Sequence, residues 1–180
     1  MPPLTIETFR SAFQAEAVAL NVNWETVGFY GTDGRVYPFG TDTKVLSSVF
    51  ESLSAPLIAT IAKRAGYIVE TSEQTVYPDF TLSPAPDAPA RIAIDIKTTY
   101  RRFSKNHAKL PFRYTLGSYT SFLRSEGAKK NIKYVYSDYT EHWVIGFLYT
   151  RRDGIEPVAF YKPEDVSSDL CPYADVDYFI

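Results

Sequence analysis

Cysteine, histidine and methionine are scarce in this sequence, which contains one Cys, two His and one Met. The single cysteine, Cys171, cannot form an intrachain disulfide, and so few thiolate and imidazole ligands nearly exclude a zinc cage. His107 lies in a basic segment and His142 begins an apolar one, so neither gives much support to a histidine-dependent catalytic triad. These absences predict a protein of a reducing compartment, the cytoplasm, without zinc chemistry.

Long apolar runs are also absent. No uninterrupted run reaches membrane-spanning length, and the first residues, MPPLTIETFR, lack the basic-then-apolar order of a signal peptide. We find no nucleophile elbow of the G-x-S-x-G type, no repeat and no interdomain linker, so we predict one domain over residues 1–180. The sequence ends in CPYADVDYFI, without a polar tail, and we therefore expect a fragment that stops inside a strand and lacks a C-terminal part.

Charge is distributed unevenly along the chain. The net charge is −2, yet the segment from Asp95 to Lys133 carries ten basic and two acidic residues. The remainder is therefore strongly acidic. This asymmetry indicates either one cationic surface that binds a polyanion or a set of solvated basic loops, and charge by itself favours neither.

Two helices and a hairpin are predicted in the first 65 residues. Apolar residues have helical spacing over 4–20 and about 43–64, with Asp42 and Gly66 as the expected caps of the second helix. Residues 24–40 read as a β-hairpin around an Asp-Gly turn. The expected apolar positions are Phe9, Phe13, Val18 and Leu20 in the first helix and Leu46, Phe50, Leu53, Leu57 and Ile61 in the second.

The remaining pattern predicts a mixed sheet. Strands are expected at 67–70, 77–82, 91–98, 142–150 and 156–161, with a proline-rich loop at 83–90, a basic loop at 101–113 and a short helix at 117–126. Together these elements predict an α/β (mixed α+β) fold with a mixed central sheet flanked by helices.

The strand IAIDIK has two chemically different faces. Alternation places its three isoleucines on the core face and Asp95 with Lys97 on the other. Cross-strand partners share a face, so the apolar residues of the preceding strand must pair with the isoleucines. Closing this hairpin with Leu82 opposite Ile92 places Asp79 beside Asp95, and the pattern therefore predicts two adjacent carboxylates with Lys97 close by.

Adjacent carboxylates repel each other unless a cation is bound, and oxygen ligands of this kind suit Mg²⁺. Lys97 could then orient a water or stabilise charge on phosphorus. The alternative is a solvated acidic edge with a salt bridge to Lys97.

The Asp-x-Lys tripeptide is not specific, because Asp42-Thr43-Lys44 is a second copy that reads as a helix cap. Glu51 lies off the apolar stripe of the long helix and is either a further ligand or part of a solvated face.

Pro78-Asp79 followed by Asp95-Ile96-Lys97 resembles the PD-(D/E)xK pattern of restriction endonuclease-like nucleases. Other segments resemble the EcoRV-type family of type II restriction endonucleases in the same order and with similar spacing, from about Val27 to Arg151 and more weakly through CPYADVDYFI. They are VYPFGTDTKVLSSVFE, GYIVE, YPDFTL, IAIDIKTTY, YTLGSYTSFLR and HWVIGFLYTR.

The resemblance implies a restriction endonuclease-like fold and a homodimer that hydrolyses double-stranded DNA with Mg²⁺ at a short palindrome, GATATC by resemblance only. It implies metal-binding roles for Asp79 and Asp95, a catalytic role for Lys97 and a supporting role at the metal site for Glu51. Lys44 matches a lysine of less clear, accessory role. The hairpin 24–40 matches part of a dimerisation region. The DNA-binding residues expected from the resemblance and from the basic loop are Gln74, Arg101, Arg102, Lys105, Thr115, Ser118 and Thr120.

Two departures from the family limit what the resemblance implies. The family continues beyond Ile180 with the region that reads the major groove, so a hydrolytic core is implied but its sequence specificity is not. The basic loop 101–113 is longer and richer in Arg and Lys than its counterpart, and could add affinity without selectivity. Two other functions stay open: a repair nuclease of the same fold that nicks at lesions, and a non-catalytic DNA-binding or dimerisation module.

Overall fold

The computed structural model describes residues 3–115, 124, 130–152 and 159–180. Within them, α1 spans Ile6–Ala19 and α2 spans Thr43–Ala65. The strands are β1 (Gly28–Tyr30), β2 (Val36–Pro38), β3 (Ile68–Thr71), β4 (Phe80–Ser83), β5 (Arg91–Tyr100), β6 (Tyr139–Arg151) and β7 (Tyr173–Phe179). Short 3-10 helices lie at Tyr136–Asp138, Pro163–Asp165 and Ser168–Leu170.

Five strands form one mixed sheet in the order β3-β4-β5-β6-β7. Neighbouring strands are antiparallel, apart from β5 and β6, which run parallel. β1 and β2 pair separately as the predicted hairpin, with Gly34 at a φ of 78° in its turn. The predicted mixed α+β fold, a central sheet flanked by helices, is therefore confirmed.

The start of α1 is as predicted, but fewer of its apolar side chains face the core than the sequence predicts. Thr5 forms the N-cap and takes part in a capping box, and Phe9 and Phe13 are fully buried one turn apart. Val18, predicted to face the core, is 81% exposed, and Leu20 lies exposed beyond the helix. At about 100° per residue, Val18 lies on the opposite side of the helix from Phe9, so it does not continue the buried stripe.

The boundaries of α2 agree with the predicted caps. The Asp42 carboxylate accepts the backbone N–H groups of Lys44 and Val45 at 2.8 and 3.3 Å, and Gly66 ends the helix at a φ of 77°. Seven of its apolar residues belong to the hydrophobic core, whereas Leu53 is only partly buried. The buried residues are Leu46, Val49, Phe50, Ser54, Leu57, Ile58, Ile61 and Ala62.

The same helix bears on the expectation that no segment of the chain is long and apolar enough to span a membrane. By length and composition alone, Thr43–Ala65 is apolar enough to cross a membrane, although no uninterrupted apolar run of that length exists. Its apolar side chains instead pack into the core against the sheet. This packing is that of an amphipathic core helix.

Strand boundaries shift where backbone hydrogen bonding requires it. The strand predicted from residue 77 begins at Phe80, two residues beyond Pro78, which has no N–H to donate to a ladder. β5 and β6 are longer than predicted, because each pairs with the other along the whole of β5. The final segment, CPYADVDYFI, contains β7, which adds to the free edge of β6.

Two predicted elements fall partly or largely outside the described residues. Of the helix at 117–126, only Arg124 is described. Of the strand at 156–161, residues 159–161 are described, and they form no strand beyond a single bridge. The last residue of that strand, Tyr161, forms an isolated antiparallel bridge with Val36. This bridge attaches the segment before β7 to the β1–β2 hairpin.

The two faces of β5 contact different surroundings. Ile92, Ile94 and Ile96 are buried in the main hydrophobic core with both helices. On the opposite face, Ala93 belongs to a smaller cluster that contains Tyr139. Asp95 follows Ala93 on that face, so the predicted separation of apolar and charged residues is confirmed.

Candidate active site

The β4–β5 hairpin brings two aspartates together. Leu82 lies opposite Ile92 and Phe80 opposite Ile94, which is the register that the apolar pattern predicts. Asp79 therefore lies beside β5, where its Oδ2 accepts the backbone N–H of Ile96 at 2.6 Å. The carboxylates of Asp79 and Asp95 interact electrostatically across the two strands.

Lys97 lies on the same face as Asp95 and forms an ion pair with it. Both groups are largely buried, with 9% of the Asp95 side chain and 22% of the Lys97 side chain exposed. An ion pair in such surroundings is screened little by salt, in contrast to an exposed one. The ammonium group offsets part of the negative charge but leaves Asp79 without a cation of its own among the described residues.

α2 contributes a third carboxylate through Glu51, which is half-buried. Burial raises the pKa of Glu51, the charge of Asp95 raises it further, and Lys97 opposes both. Burial and then the charge of Asp95 raise the pKa of Asp79 to about 7, against the hydrogen bond from Ile96 and the charge of Lys97. Three carboxylates and one ammonium therefore share a site that favours either a proton or an additional cation.

The donor set fits a hard divalent cation that retains water. Among the described residues, no three His, Cys, Asp or Glu side chains lie close enough to form a ready-made metal cage. Asp79 and Asp95 would therefore provide the direct contacts, and Glu51 adds negative charge from the α2 side of the site. One or two carboxylates with several waters is the usual environment of Mg²⁺, whereas Ca²⁺ takes more protein ligands.

A polar cavity of about 320 Å³ opens beside these carboxylates. Its lining residues come from α2, from the loop at residues 72–76 and from Asp79, and Gln74 is one of them. The sequence-predicted Gln74 and Glu51 thus line the same space. A larger cavity of about 470 Å³ lies between the hairpin and α2, but its lining is almost entirely apolar and lacks these carboxylates.

The other predicted DNA-binding residues lie in different surroundings. Arg102, Lys105 and Thr115 are exposed, whereas the Arg101 side chain is 90% buried and its guanidinium pairs with Asp177. Arg101 also donates to the Asp175 carbonyl and to the Thr150 hydroxyl at 3.3 Å. Its observed contacts therefore bind β7 to the end of β5. Ser118 and Thr120 lie outside the described residues.

Lys44 is exposed in the first turn of α2, two turns before Glu51 on the same side of the helix. Among the described residues it makes no ion pair.

His142, expected to be structural, shares a hydrogen bond of 2.7 Å with the Tyr77 hydroxyl, and burial lowers its pKa.

Sequence reasoning missed the residues that hold the 72–76 loop. Lys133 and Tyr134 contact Glu70 and Thr71 at the end of β3, more than 60 positions away in sequence. Neither residue belongs to a motif, and both lie between predicted elements. No local pattern in the sequence indicates this contact.

Comparison with known proteins relates this geometry to one family. The sequence model for restriction endonuclease EcoRV matches residues 20–180. The chain belongs to the EcoRV restriction endonuclease family. It is also similar to the type II restriction enzyme EcoRV of Escherichia coli, with 48% identity over 162 residues. The alignment covers 89% of this chain and 64% of the relative, so the chain spans somewhat less than two thirds of the relative's length.

Family membership confirms the resemblance inferred from PD-(D/E)xK and its surrounding segments. The EcoRV family consists of nucleases that generally need a divalent metal ion, and the carboxylate site described above has the chemistry to hold one. The fold agrees with that family too, through the mixed five-stranded sheet with helices on its faces.

Proposed function

We propose that this chain is the hydrolytic core of a type II restriction endonuclease, which cleaves phosphodiester bonds of double-stranded DNA at a short palindrome with Mg²⁺. The observation that carries the proposal is the β4–β5 register, which brings Asp79, Asp95 and Lys97 together beside a polar cavity. Similarity to EcoRV over most of the chain supports the substrate class.

Asp79 and Asp95 hold the ion in this proposal, and Glu51 supports it from α2. When bound, Mg²⁺ supplies positive charge to the phosphate and lowers the pKa of a coordinated water. The raised pKa of Asp79 supports this assignment, because the site pays an electrostatic cost for carrying its carboxylates ionised without a cation.

Lys97 acts on the reacting phosphate. Its ammonium lies beside Asp95, which fixes the otherwise flexible side chain at the site. From there it can donate hydrogen bonds to an attacking water or to a phosphoryl oxygen that gains negative charge. The Ile96 N–H has a positioning role, since it holds the Asp79 carboxylate by a 2.6 Å hydrogen bond.

DNA contacts come from two sides of this site. The 72–76 loop, with Gln74, lines the cavity and approaches DNA from one side. The basic loop at 101–113 begins directly after β5 and contains no acidic residue. Its exposed Arg102 and Lys105 make no ion pair among the described residues, so they are available to phosphates, as is the exposed Thr115. Ser118 and Thr120 are further proposed contacts, and both lie outside the described residues.

The β1–β2 hairpin supports a homodimer. Phe29 is 60% exposed and Tyr30 is 71% exposed on this short hairpin, next to the apolar cavity against α2. Exposed aromatic side chains in such number on one element are typical of an interface. Sedimentation of the wild type beside Phe29→Glu tests this: a dimer that the substitution dissociates supports it, and a monomeric wild type contradicts it.

Cytoplasmic action fits the same proposal, because the free and buried Cys171 suits a reducing compartment and DNA is the substrate.

Cleavage of supercoiled plasmid with Mg²⁺, beside Ca²⁺ and Asp95→Asn controls, tests the activity. Discrete linear products from the wild type alone support a site-selective nuclease. Random nicking contradicts site selection by this chain, and DNA binding without cutting by the folded protein favours the non-catalytic module.

A further inference from the structure

The 72–76 loop has little structure of its own. Within it, the Val76 N–H donates to the Glu73 carbonyl at 3.0 Å, and the Ser72 N–H donates to the Asp79 carbonyl at 3.2 Å. Thr75 adopts a φ of 72°, which is uncommon for a β-branched residue. A loop with so few internal contacts opens easily unless other elements hold it.

One end of the loop is held by side chains of residues 133 and 134. The Lys133 ammonium donates to the Thr71 carbonyl at 2.7 Å and lies 3.5 Å from the Glu70 carboxylate. The Tyr134 hydroxyl contacts both Glu70 carboxylate oxygens, at 2.9 and 3.0 Å. Hydrogen bonds to an ionised carboxylate are stronger than those between neutral groups.

The other end is held by the backbone of the same segment. The Tyr77 N–H donates to the Asn131 carbonyl at 2.9 Å, and the Lys133 N–H donates to the Tyr77 carbonyl at 2.9 Å. These bonds form a parallel bridge between Tyr77 and Ile132. Tyr77 precedes Asp79 by two residues, so the bridge lies next to a carboxylate of the site.

Tyr134 is itself fixed by the strand that carries Asp95. The Arg91 guanidinium lies 3.9 Å from the centre of the Tyr134 ring, and Arg91 also donates to the Pro86 carbonyl at 3.2 Å. Arg91 is the first residue of β5 and is buried. A continuous set of contacts therefore joins β5, residues 131–134 and both ends of the loop.

We propose that Lys133 and Tyr134 are positioning residues that hold the 72–76 loop over the carboxylate site so that DNA can engage it. The consequence for DNA rests on the proposed nuclease function, whereas the effect on the loop does not. Neither side chain lines the cavity, so both act through the position of the loop.

Hydrogen–deuterium exchange of the peptide covering residues 72–79 tests the effect on the loop without metal or DNA. The variant is Lys133→Met with Tyr134→Phe, which removes the ammonium and the hydroxyl but keeps the alkyl chain and the ring on Arg91. We expect exchange in this peptide to rise about tenfold, the factor that corresponds to about 1.4 kcal/mol, while α2 peptides exchange as in the wild type. Lys130→Met is the matched control, because Lys130 is exposed and makes no ion pair among the described residues.

Steady-state cleavage by the same variants tests the consequence for DNA. We expect the KM for DNA to rise about tenfold, with kcat within about twofold, because the carboxylates and Lys97 are untouched. Unchanged exchange at 72–79, or an equal rise throughout the protein, overturns the proposal. Faster exchange with KM unchanged in an active enzyme overturns the positioning role. Faster exchange in a protein that never cuts DNA leaves the effect on the loop intact and refutes the nuclease instead.

Discussion

The chain contains two Asp-x-Lys tripeptides, and their structures differ in almost every respect. In Asp42-Thr43-Lys44 the aspartate is exposed and accepts two backbone N–H groups at the start of α2. In Asp95-Ile96-Lys97 the aspartate is 7% exposed and pairs with the lysine ammonium. The same residue types thus give a helix cap in one place and a charged pair in the other.

Backbone geometry explains the difference. In a strand, residues two apart project from the same face, so Asp95 and Lys97 meet each other. At a helix start, residues two apart do not face each other, and the short carboxylate instead satisfies free N–H groups. Burial is the second difference between the two copies, because only the strand copy lies where water cannot screen the charges. The same tripeptide is therefore a candidate site only where it lies on a buried strand, and not where it forms the exposed start of a helix.

The largest expected difference comes from the same substitution at both aspartates. Asp95→Asn keeps the shape but removes the charge that would hold a metal ion, and we expect cleavage to fall by at least about a thousandfold. Asp42→Asn keeps a good N-cap, so we expect cleavage within about twofold of the wild type. Single-turnover cleavage of a plasmid or a defined duplex measures both.

Circular dichroism of both variants must show the wild-type fold for this comparison to be valid. Equal losses of cleavage from the two substitutions would contradict the distinction between a cap and a site. Wild-type cleavage by Asp95→Asn would contradict the assignment of Asp95 to the chemistry.

The two lysines give the next largest contrast. Lys97→Met should lower kcat by about a hundredfold or more while DNA binding in Ca²⁺ changes by less than about threefold, since the lysine acts on charge that develops in the transition state. Lys44→Met should change kcat less than about tenfold, because Lys44 is exposed at the helix start. Separate measurement of kcat and of the DNA Kd distinguishes these effects. A larger loss from Lys44→Met would reverse the ranking of the two copies.

The rule that cross-strand partners project from the same face of the sheet explains how much of the site the sequence could predict. The alternation of isoleucines in β5 and the apolar residues of β4 allow few registers, and the observed one pairs Leu82 with Ile92 as expected. The adjacency of Asp79 to β5 follows from that local rule. Helix caps such as Asp42 are predictable for the same reason, since donor and acceptor lie within three positions.

Long-range partners could not be predicted in this way. The sequence predicts Arg101 as a DNA contact and does not indicate its observed partner, Asp177, which lies 76 positions later on β7, the strand paired with β6. Tyr134 likewise meets Glu70 across 64 positions. Such pairs depend on how loops outside the strands are placed, and hydrophobic periodicity carries no information about that placement.

A smaller effect concerns the pH dependence of folding without metal. The pKa of Asp79 is raised from its usual value of 3.8 to about 7, so the folded protein binds this proton more tightly than the unfolded chain does. Stability is therefore highest below about pH 4 for this group and is lost as the pH rises toward 7. Asp79→Asn cannot ionise and retains an oxygen that accepts the Ile96 N–H. Relative to the wild type, we expect it to gain about 1–2 kcal/mol between pH 5 and pH 8.

Thermal unfolding with a chelator present at both pH values measures this gain, which corresponds to a relative rise in Tm of roughly 2–8 °C for a chain of this size. Added Mg²⁺ should raise the Tm of the wild type at pH 8 more than that of Asp79→Asn, because only the wild type offers the ionised ligand. A difference in Tm that is the same at pH 5 and pH 8 would show that Asp79 does not titrate in this range.

The smallest expected effect is confined to the cap. Asp42→Ala removes the acceptor for two N–H groups of α2, and we expect a loss of about 1 kcal/mol of stability, or roughly 2–4 °C in Tm. Asp42→Ser should restore most of this loss, since serine is also a good N-cap. Well below the Tm, cleavage by the alanine variant should match the wild type. If kcat fell while the Tm did not change, Asp42 would belong to the chemistry, and the element around a tripeptide would no longer explain why one copy is a cap and the other a site.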